Sequence, residues 1–212
     1  MAYSYSAIKA YESCPASYKF SRIDKLPSPS GPAAERGKML HAELEEVLKG
    51  GLDILSPELL HLQPQLLSLK AQRAVPELEF AINRDWNKVE FKDPTAWFRG
   101  IIDVYVPLGS SATLLDWKSG KNRNYLDQVT VYATVVFAIE PEVVQITPII
   151  SFVDLKKEVT YSKISRESYP TLRKNLEQRI ITIEEDRIFA PNPSVNCRWC
   201  PYRKSNGGPC AW

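Results

Sequence analysis

Two apolar runs near the middle of the chain each end in a charged residue, and this constrains the fold more than any other feature. Gly100-Ile-Ile-Asp103 and Leu114-Leu-Asp116-Trp-Lys118 both read as strands. An unpaired carboxylate among such side chains is costly. Pro107-Leu-Gly-Ser-Ser111 between them is turn-forming, so the two runs read as a hairpin. If the chain reverses near Gly109–Ser110, cross-strand partners have residue numbers totalling about 219, which sets Asp103 beside Asp116. Lys118 then shares a face with Asp116. Two adjacent acids repel unless a cation lies between them, and a hard divalent ion such as Mg²⁺ or Mn²⁺ takes oxygen ligands of this kind. The alternative is a surface salt bridge from Lys118 to either acid, although such a pair would be flanked by polar residues rather than by Ile-Ile and Leu-Leu.

The rest of the pattern supplies helices around that hairpin. Ser4 or Ser6 caps a short helix over 7–12, and Cys14-Pro15 breaks it before a second short helix carrying Tyr18, Phe20 and Ile23. A proline-rich loop spans 27–32. Met39, Leu40, Leu44, Val47 and Leu48 form one stripe on a helix from 33 to 49 that Gly50-Gly51 stops. A leucine-rich helix follows from Pro57 towards Val75, interrupted near Pro64. Strands are expected at 77–82, 89–91, 97–106, 113–118, 143–152 and 158–164, a buried helix over 125–139, and a last helix from a Ser165 cap to about 188. This order predicts an α/β fold, a central mixed β-sheet flanked by helices.

Composition narrows the class. With 212 residues, 44% hydrophobic and 25% charged, the chain folds as a globule. Lys9, Glu12 and Lys19 interrupt any signal-peptide core, no apolar run reaches membrane-spanning length, and no GxxxxGK[ST] motif is present. A cytoplasmic protein without an ATP-driven motor and without a membrane is expected. The net charge of +2 argues no nucleic acid by itself, but the basic excess sits at both ends of the chain. Those ends also hold the 4 cysteines, Cys14 near the start and Cys197, Cys200 and Cys210 in the tail. In a reducing compartment, four cysteines with none spare suit one four-thiolate site, either structural Zn²⁺ or an iron–sulfur cluster.

Read together, these pieces resemble the PD-(D/E)xK nucleases, in particular the RecB-type nuclease domain of four-cysteine CRISPR-associated exonucleases and related phage exonucleases. The resemblance rests on Cys14-Pro15, Gly37-Lys-Met-Leu-His41, Gly100-Ile-Ile-Asp103, Asp116-Trp-Lys118-Ser-Gly120, Gln128-Val-Thr-Val-Tyr132 and the Cys197-x-x-Cys200…Cys210 tail, in that order. It implies a restriction-endonuclease-like core over 27–190 and a small iron–sulfur lobe built from 1–26 and 191–212. It implies that Asp103, Asp116, the backbone carbonyl of Trp117 and the imidazole of His41 ligate the metal, and that Lys118 orients or activates the attacking water. Outside that context His41 would read as a packed or surface residue. Gln128 and Tyr132, four apart on one helix face, support the site. Glu79 is expected as a metal or neighbouring acid. Arg36, Lys38, Lys121, Arg123 and Tyr125 are expected to contact DNA. The resemblance also favours a [4Fe–4S] cluster over zinc. The implied activity is a Mg²⁺- or Mn²⁺-dependent exonuclease on single-stranded DNA ends in phage or prokaryotic DNA processing, with a replication or recombination protein as partner. The alternatives are a structure-selective endonuclease and a DNA-binding assembly protein with a vestigial site.

Overall fold

A computed structural model of the chain describes residues 2–28 and 31–212, so Pro29 and Ser30 of the expected proline-rich loop lie outside the described residues. The chain divides into two units, one of Ala2 with Pro32–Arg173 and one of Tyr3–Gly31 with Lys174–Trp212.

The first unit contains one mixed sheet. Its strands are β1 (Val75–Ile82), β2 (Phe98–Leu108), β3 (Ser111–Lys118), β4 (Gln145–Phe152), β5 (Lys157–Thr160) and β6 (Ile164–Ser165), in the order β1-β2-β3-β4-β5 with β6 also on β4. β1, β2 and β3 run antiparallel in turn, and β3 pairs parallel with β4. A parallel pair needs a crossover, and α5 (Leu126–Ile139) provides it. Gly109, at φ +65°, makes the two-residue turn between β2 and β3.

Helices cover the sheet because alternate strand residues are apolar on both faces. Val104, Val106, Leu115 and Trp117 pack with Leu40, Leu44 and Val47 of α3 (Pro32–Lys49) and with Leu62, Leu66 and Leu69 in and before α4 (Gln63–Ala71). Val129 of α5 packs with Ile150 and Phe152. Pro64 does not interrupt α4 but sits in its first turn, where a missing N–H costs nothing. The strand expected at 89–91 does not form, and only Lys88 bridges to Ile82. The single strand expected over 158–164 is two short ones, β5 and β6, both paired with β4.

The second unit holds α1 (Tyr5–Ser13), α2 (Pro15–Tyr18), a π-turn over Lys19–Ile23 and the tail, in which short 3₁₀ turns form at Val195–Trp199 and Lys204–Asn206. The Ser4 hydroxyl accepts the Ala7 N–H and caps α1 as expected. The last long helix, α6 (Tyr169–Glu185), crosses the division between units at Arg173 and Lys174. Ser165 does cap a helical segment, but it is the 3₁₀ turn Arg166–Ser168 that leads into α6.

The close approach of β1 and β2 requires one glycine. Gly100 pairs with Phe80, and a Cβ there would stand 2.6 Å from Phe80 Cζ. The Phe80 ring is buried and packs edge-on against Tyr132 at 5.4 Å, so it cannot swing aside. Gly100→Ala is therefore expected to cost about 1–3 kcal/mol, read as a fall in melting temperature of roughly 2–4 °C per kcal/mol. A variant that melts with the wild type would show that the ring relocates freely.

Candidate metal and nucleic-acid site

The hairpin forms in the expected register. Cross-strand pairs run from Leu108↔Ser111 to Val104↔Leu115, and all of them total 219. Asp103 and Asp116 are the next position, and there the backbone ladder stops. The Trp117 N–H donates to Asp103 Oδ2 at 2.8 Å. Leu115 and Trp117 face the core beneath α3 and α4, so Asp116 faces the other way, towards α5.

Asp116 is the most constrained charge in this unit. It is 5% exposed. Oδ1 accepts from Gln128 Nε2 at 2.9 Å. The buried Oδ2 is paired with the Lys118 ammonium, whose Nζ lies 2.6 Å away. Burial and the adjacent Asp103 charge push the Asp116 carboxyl up to about 7, with Lys118 and His41 opposing. Burial lowers the Lys118 pKa, but the Asp116 carboxylate outweighs it and the net shift is upward. Its ammonium also sits 5.0 Å above the Tyr125 ring. Tyr132, one turn along α5 from Gln128, is pushed above the ordinary phenol range by burial and by the Asp116 charge, with its Gln128 hydrogen bond opposing.

His41 reaches the pair from α3. Its Nδ1 is 3.3 Å from Asp103 Oδ2, and its ring meets Trp117 edge-on. Burial lowers the imidazole pKa, but the hydrogen bond to Asp103 and the charges of Asp103 and Asp116 outweigh it and raise it. Gly37, one turn earlier, faces Ser119, whose Oγ would lie 3.2 Å from a Cβ there.

The acid that joins this group from β1 is Glu77, not Glu79. Glu79 is exposed on its strand. Among the described residues, His41, Glu77 and Asp103 are the group of His, Cys, Asp or Glu side chains whose ligand atoms all lie within 4.8 Å of one another. The β1–β2 register explains the choice, since Pro76↔Val104 and Leu78↔Ile102 leave Glu77 opposite Asp103. That pair drops out of the ladder because Glu77 takes φ +48°, a left-handed conformation in mid-strand that re-aims the side chain. Burial and the charges of Asp103 and Glu45 raise the Glu77 pKa. Gly37, Lys38, His41, Ala42, Glu45 and Glu77 line an open groove of about 360 Å³ that reaches Asp103.

The expected DNA-contacting residues divide. Lys38 is exposed and borders this groove, although its ammonium is 3.0 Å from Glu35. Lys121 and Arg123 are exposed in the segment after β3. Tyr125 is half-buried beneath Lys118. The Arg36 guanidinium is engaged by Asp154 and Glu58.

In the second unit, Cys14, Cys197, Cys200 and Cys210 all line one cavity with Phe20, Pro191, Tyr202 and Trp212. Backbone amides of Asn192 and Ser194 donate to the sulfurs of Cys14 and Cys197 at 3.4 and 3.3 Å.

A mixed sheet whose central hairpin ends in two acids and a lysine, with a helix bringing a histidine to them, defines a nuclease-like α/β core. The chain belongs to the PD-(D/E)XK nuclease superfamily, whose profile matches residues 2–205. The match concerns the nuclease superfamily and does not speak to the four cysteines. Nucleases of this superfamily are metal-dependent and bind DNA, and the His41–Glu77–Asp103 group could hold such a metal. A solved structure described as the crystal structure of SSO0001 is similar over 92% of this chain and 82% of that one, at 17% identity and a TM-score of 0.49. No curated protein matches the chain. Among the described residues no helix is long and apolar enough to cross a membrane.

The Asp116 environment has a measurable consequence. A carboxyl whose pKa rises from 3.8 to about 7 on folding stabilises the metal-free protein fully at low pH, and that contribution is lost as pH climbs through about 7. Melting of the EDTA-stripped protein should thus decline between pH 5 and pH 8 by about 5–10 °C from this group. Asp116→Asn should flatten the slope, and an unchanged slope would contradict the burial argument.

Proposed function

We propose that this chain is a Mg²⁺- or Mn²⁺-dependent deoxyribonuclease that acts as an exonuclease on single-stranded ends. The observation that carries the reading is the meeting of His41, Glu77 and Asp103, with ligand atoms within 4.8 Å of one another, beside the buried Asp116 carboxyl. Burial and the Asp103 charge raise the pKa of both Glu77 and Asp116, and a divalent ion would offset the repulsion that Lys118 only partly meets. Carboxylate oxygens with an imidazole are an acceptable donor set for a hard divalent ion. Asp103, Asp116, the Trp117 carbonyl and His41 would hold it, and Glu77 would join from β1.

Those residues would hold a divalent ion, which would supply Lewis-acid polarisation of the phosphodiester and activation of water near neutral pH. The chain's residues do the rest. Gln128 fixes Asp116 by donating to Oδ1, and Tyr132 closes the α5 side of the site against Phe80. Lys118 keeps its proton, since its net shift is upward. Its part is therefore to hold positive charge against the phosphate and donate a hydrogen bond to the attacking water, not to accept the proton. Lys38, Lys121 and Arg123 would meet the DNA backbone. The single-strand and end preferences rest on the sequence resemblance, as does a role in phage or prokaryotic DNA processing.

The second unit would carry a [4Fe–4S] cluster as a clasp between residues from both ends of the chain. All four cysteines line the same cavity, and the two amides on sulfur are the kind of contact that iron–sulfur thiolates receive.

Two experiments test these readings. Labelled linear and circular single strands and duplexes, digested with Mn²⁺ or Mg²⁺ added back after EDTA, should show loss of linear single strands only. Asp116→Ala and Lys118→Ala should reduce the rate by about a thousandfold or more, and Glu77→Gln should weaken metal activation. Cleavage of circles would make the enzyme an endonuclease, and wild-type rates in the variants would remove the site assignment. For the cluster, anaerobically purified protein should be brown and lose its colour with Cys200→Ser. Colourless protein with stoichiometric zinc would refute it.

A further inference from the structure

The helix that brings His41 to the acids has little apolar anchorage where it begins. No residue of α3 from 32 to 39 is buried, and the first that is, Leu40, immediately precedes His41. Core packing therefore fixes the later turns of α3 but not the two that lead into the histidine.

A polar clamp fixes them instead. Arg36 donates to Asp154 in a two-pronged pair, Nη1 to Oδ2 at 3.1 Å and Nη2 to Oδ1 at 2.6 Å, and Glu58 takes the same guanidinium. Asp154 Oδ2 also accepts the Gly120 N–H at 2.5 Å, in the bend that follows Lys118 and Ser119. The neighbouring Val153 N–H donates to the Lys118 carbonyl at 3.0 Å. Ser119 in turn faces Gly37 of α3. One carboxylate thus joins the start of the His41 helix to the end of the strand that carries Asp116 and Lys118. The sequence brings these groups together from positions 36, 120 and 154.

We infer that Asp154, acting through Arg36 and the Gly120 amide, is a positioning residue that sets the distance of His41 from the Asp103–Asp116 pair and so the affinity of the site for its divalent cation. The inference rests on the metal-site reading above. A lone exposed ion pair does little for stability, and this clamp does not act mainly through stability. It has the forked geometry that makes arginine unlike lysine, it includes a backbone donor, and it constrains a helix end at which no described residue is buried. Partners behind metal ligands commonly change metal affinity by about 10–100-fold, while the core beneath Leu40, Leu44 and Val47 keeps the fold. Arg36 serves the site through this contact rather than as a hand on the phosphate backbone.

The test uses the full chain, stripped with EDTA, with binding of Mn²⁺ read from the paramagnetic resonance of free Mn²⁺. Asp154→Asn and Arg36→Ala should each raise the Mn²⁺ dissociation constant by about 10–100-fold. Hydrolysis at saturating Mn²⁺ should stay within a few-fold of wild type, with melting temperature within about 2 °C. Arg36→Lys, which keeps the charge and loses the fork, should fall between, and amide exchange at residues 119–121 should quicken in parallel. A dissociation constant within twofold of wild type in both Asp154→Asn and Arg36→Ala overturns the clamp alone. A wild type that binds no Mn²⁺ overturns the metal-site reading and the clamp with it.

Discussion

The carboxylate of Asp116 occupies a strand position that its neighbours fill with hydrocarbon, and the arrangement around it is best understood as a response to that placement. Leu114, Leu115 and Trp117 are buried on the same strand. Sheet alternation turns Asp116 to the α5 face, where burial and Asp103 both oppose its charge. Gln128 meets one oxygen, Lys118 approaches the other, and His41 closes on Asp103 from the opposite helix layer. Even so, the net effect holds the Asp116 carboxyl well above the usual carboxylate range. A fold pays such a penalty where the charge has a task, and in the proposed enzyme the task is to hold a cation against a phosphodiester.

The sheet supplies the precision that this needs. The hairpin fixes the two acids by register, the parallel β3–β4 pair continues to Lys118↔Phe152, and α5 returns across the face on which Asp116 lies. The strain is local. Glu77 alone in β1 adopts a left-handed backbone, at the point opposite Asp103. That is where re-aiming a side chain is useful and where a regular strand would have directed it elsewhere. The second unit has a separate logic. Its four half-buried cysteines share a cavity with aromatic and proline side chains.

Much of this was legible because strands have a strict period. The position of Asp103 beside Asp116 followed from turn residues at 109–110 and simple alternation, and Lys118 followed from Asp116 two residues earlier. The same register argument applied to β1 and β2 places Glu77 opposite Asp103, whereas apolar alternation alone gives no reason to prefer Glu77 to Glu79. The left-handed residue that completes the choice leaves no mark in composition. The expected interruption near Pro64 falls at Gln63, where a 3₁₀ turn over Leu60–Leu62 gives way to α4, and Pro64 sits in the first turn of that helix, since proline suits a helix start as well as it ends one. Arg36 read as a phosphate contact because it is basic and near His41. Its carboxylate partner lies 118 residues away, and no local pattern announces it.

The central claim is that the acid pair with His41 is a divalent-cation site, and anomalous scattering tests it most directly. Crystals soaked in Mn²⁺ and measured at the manganese edge should show a peak in contact with Asp103, Asp116, the Trp117 carbonyl and His41, and the peak should vanish in Asp116→Ala. A map with no peak there, or with manganese bound only elsewhere on the molecule, would contradict the account.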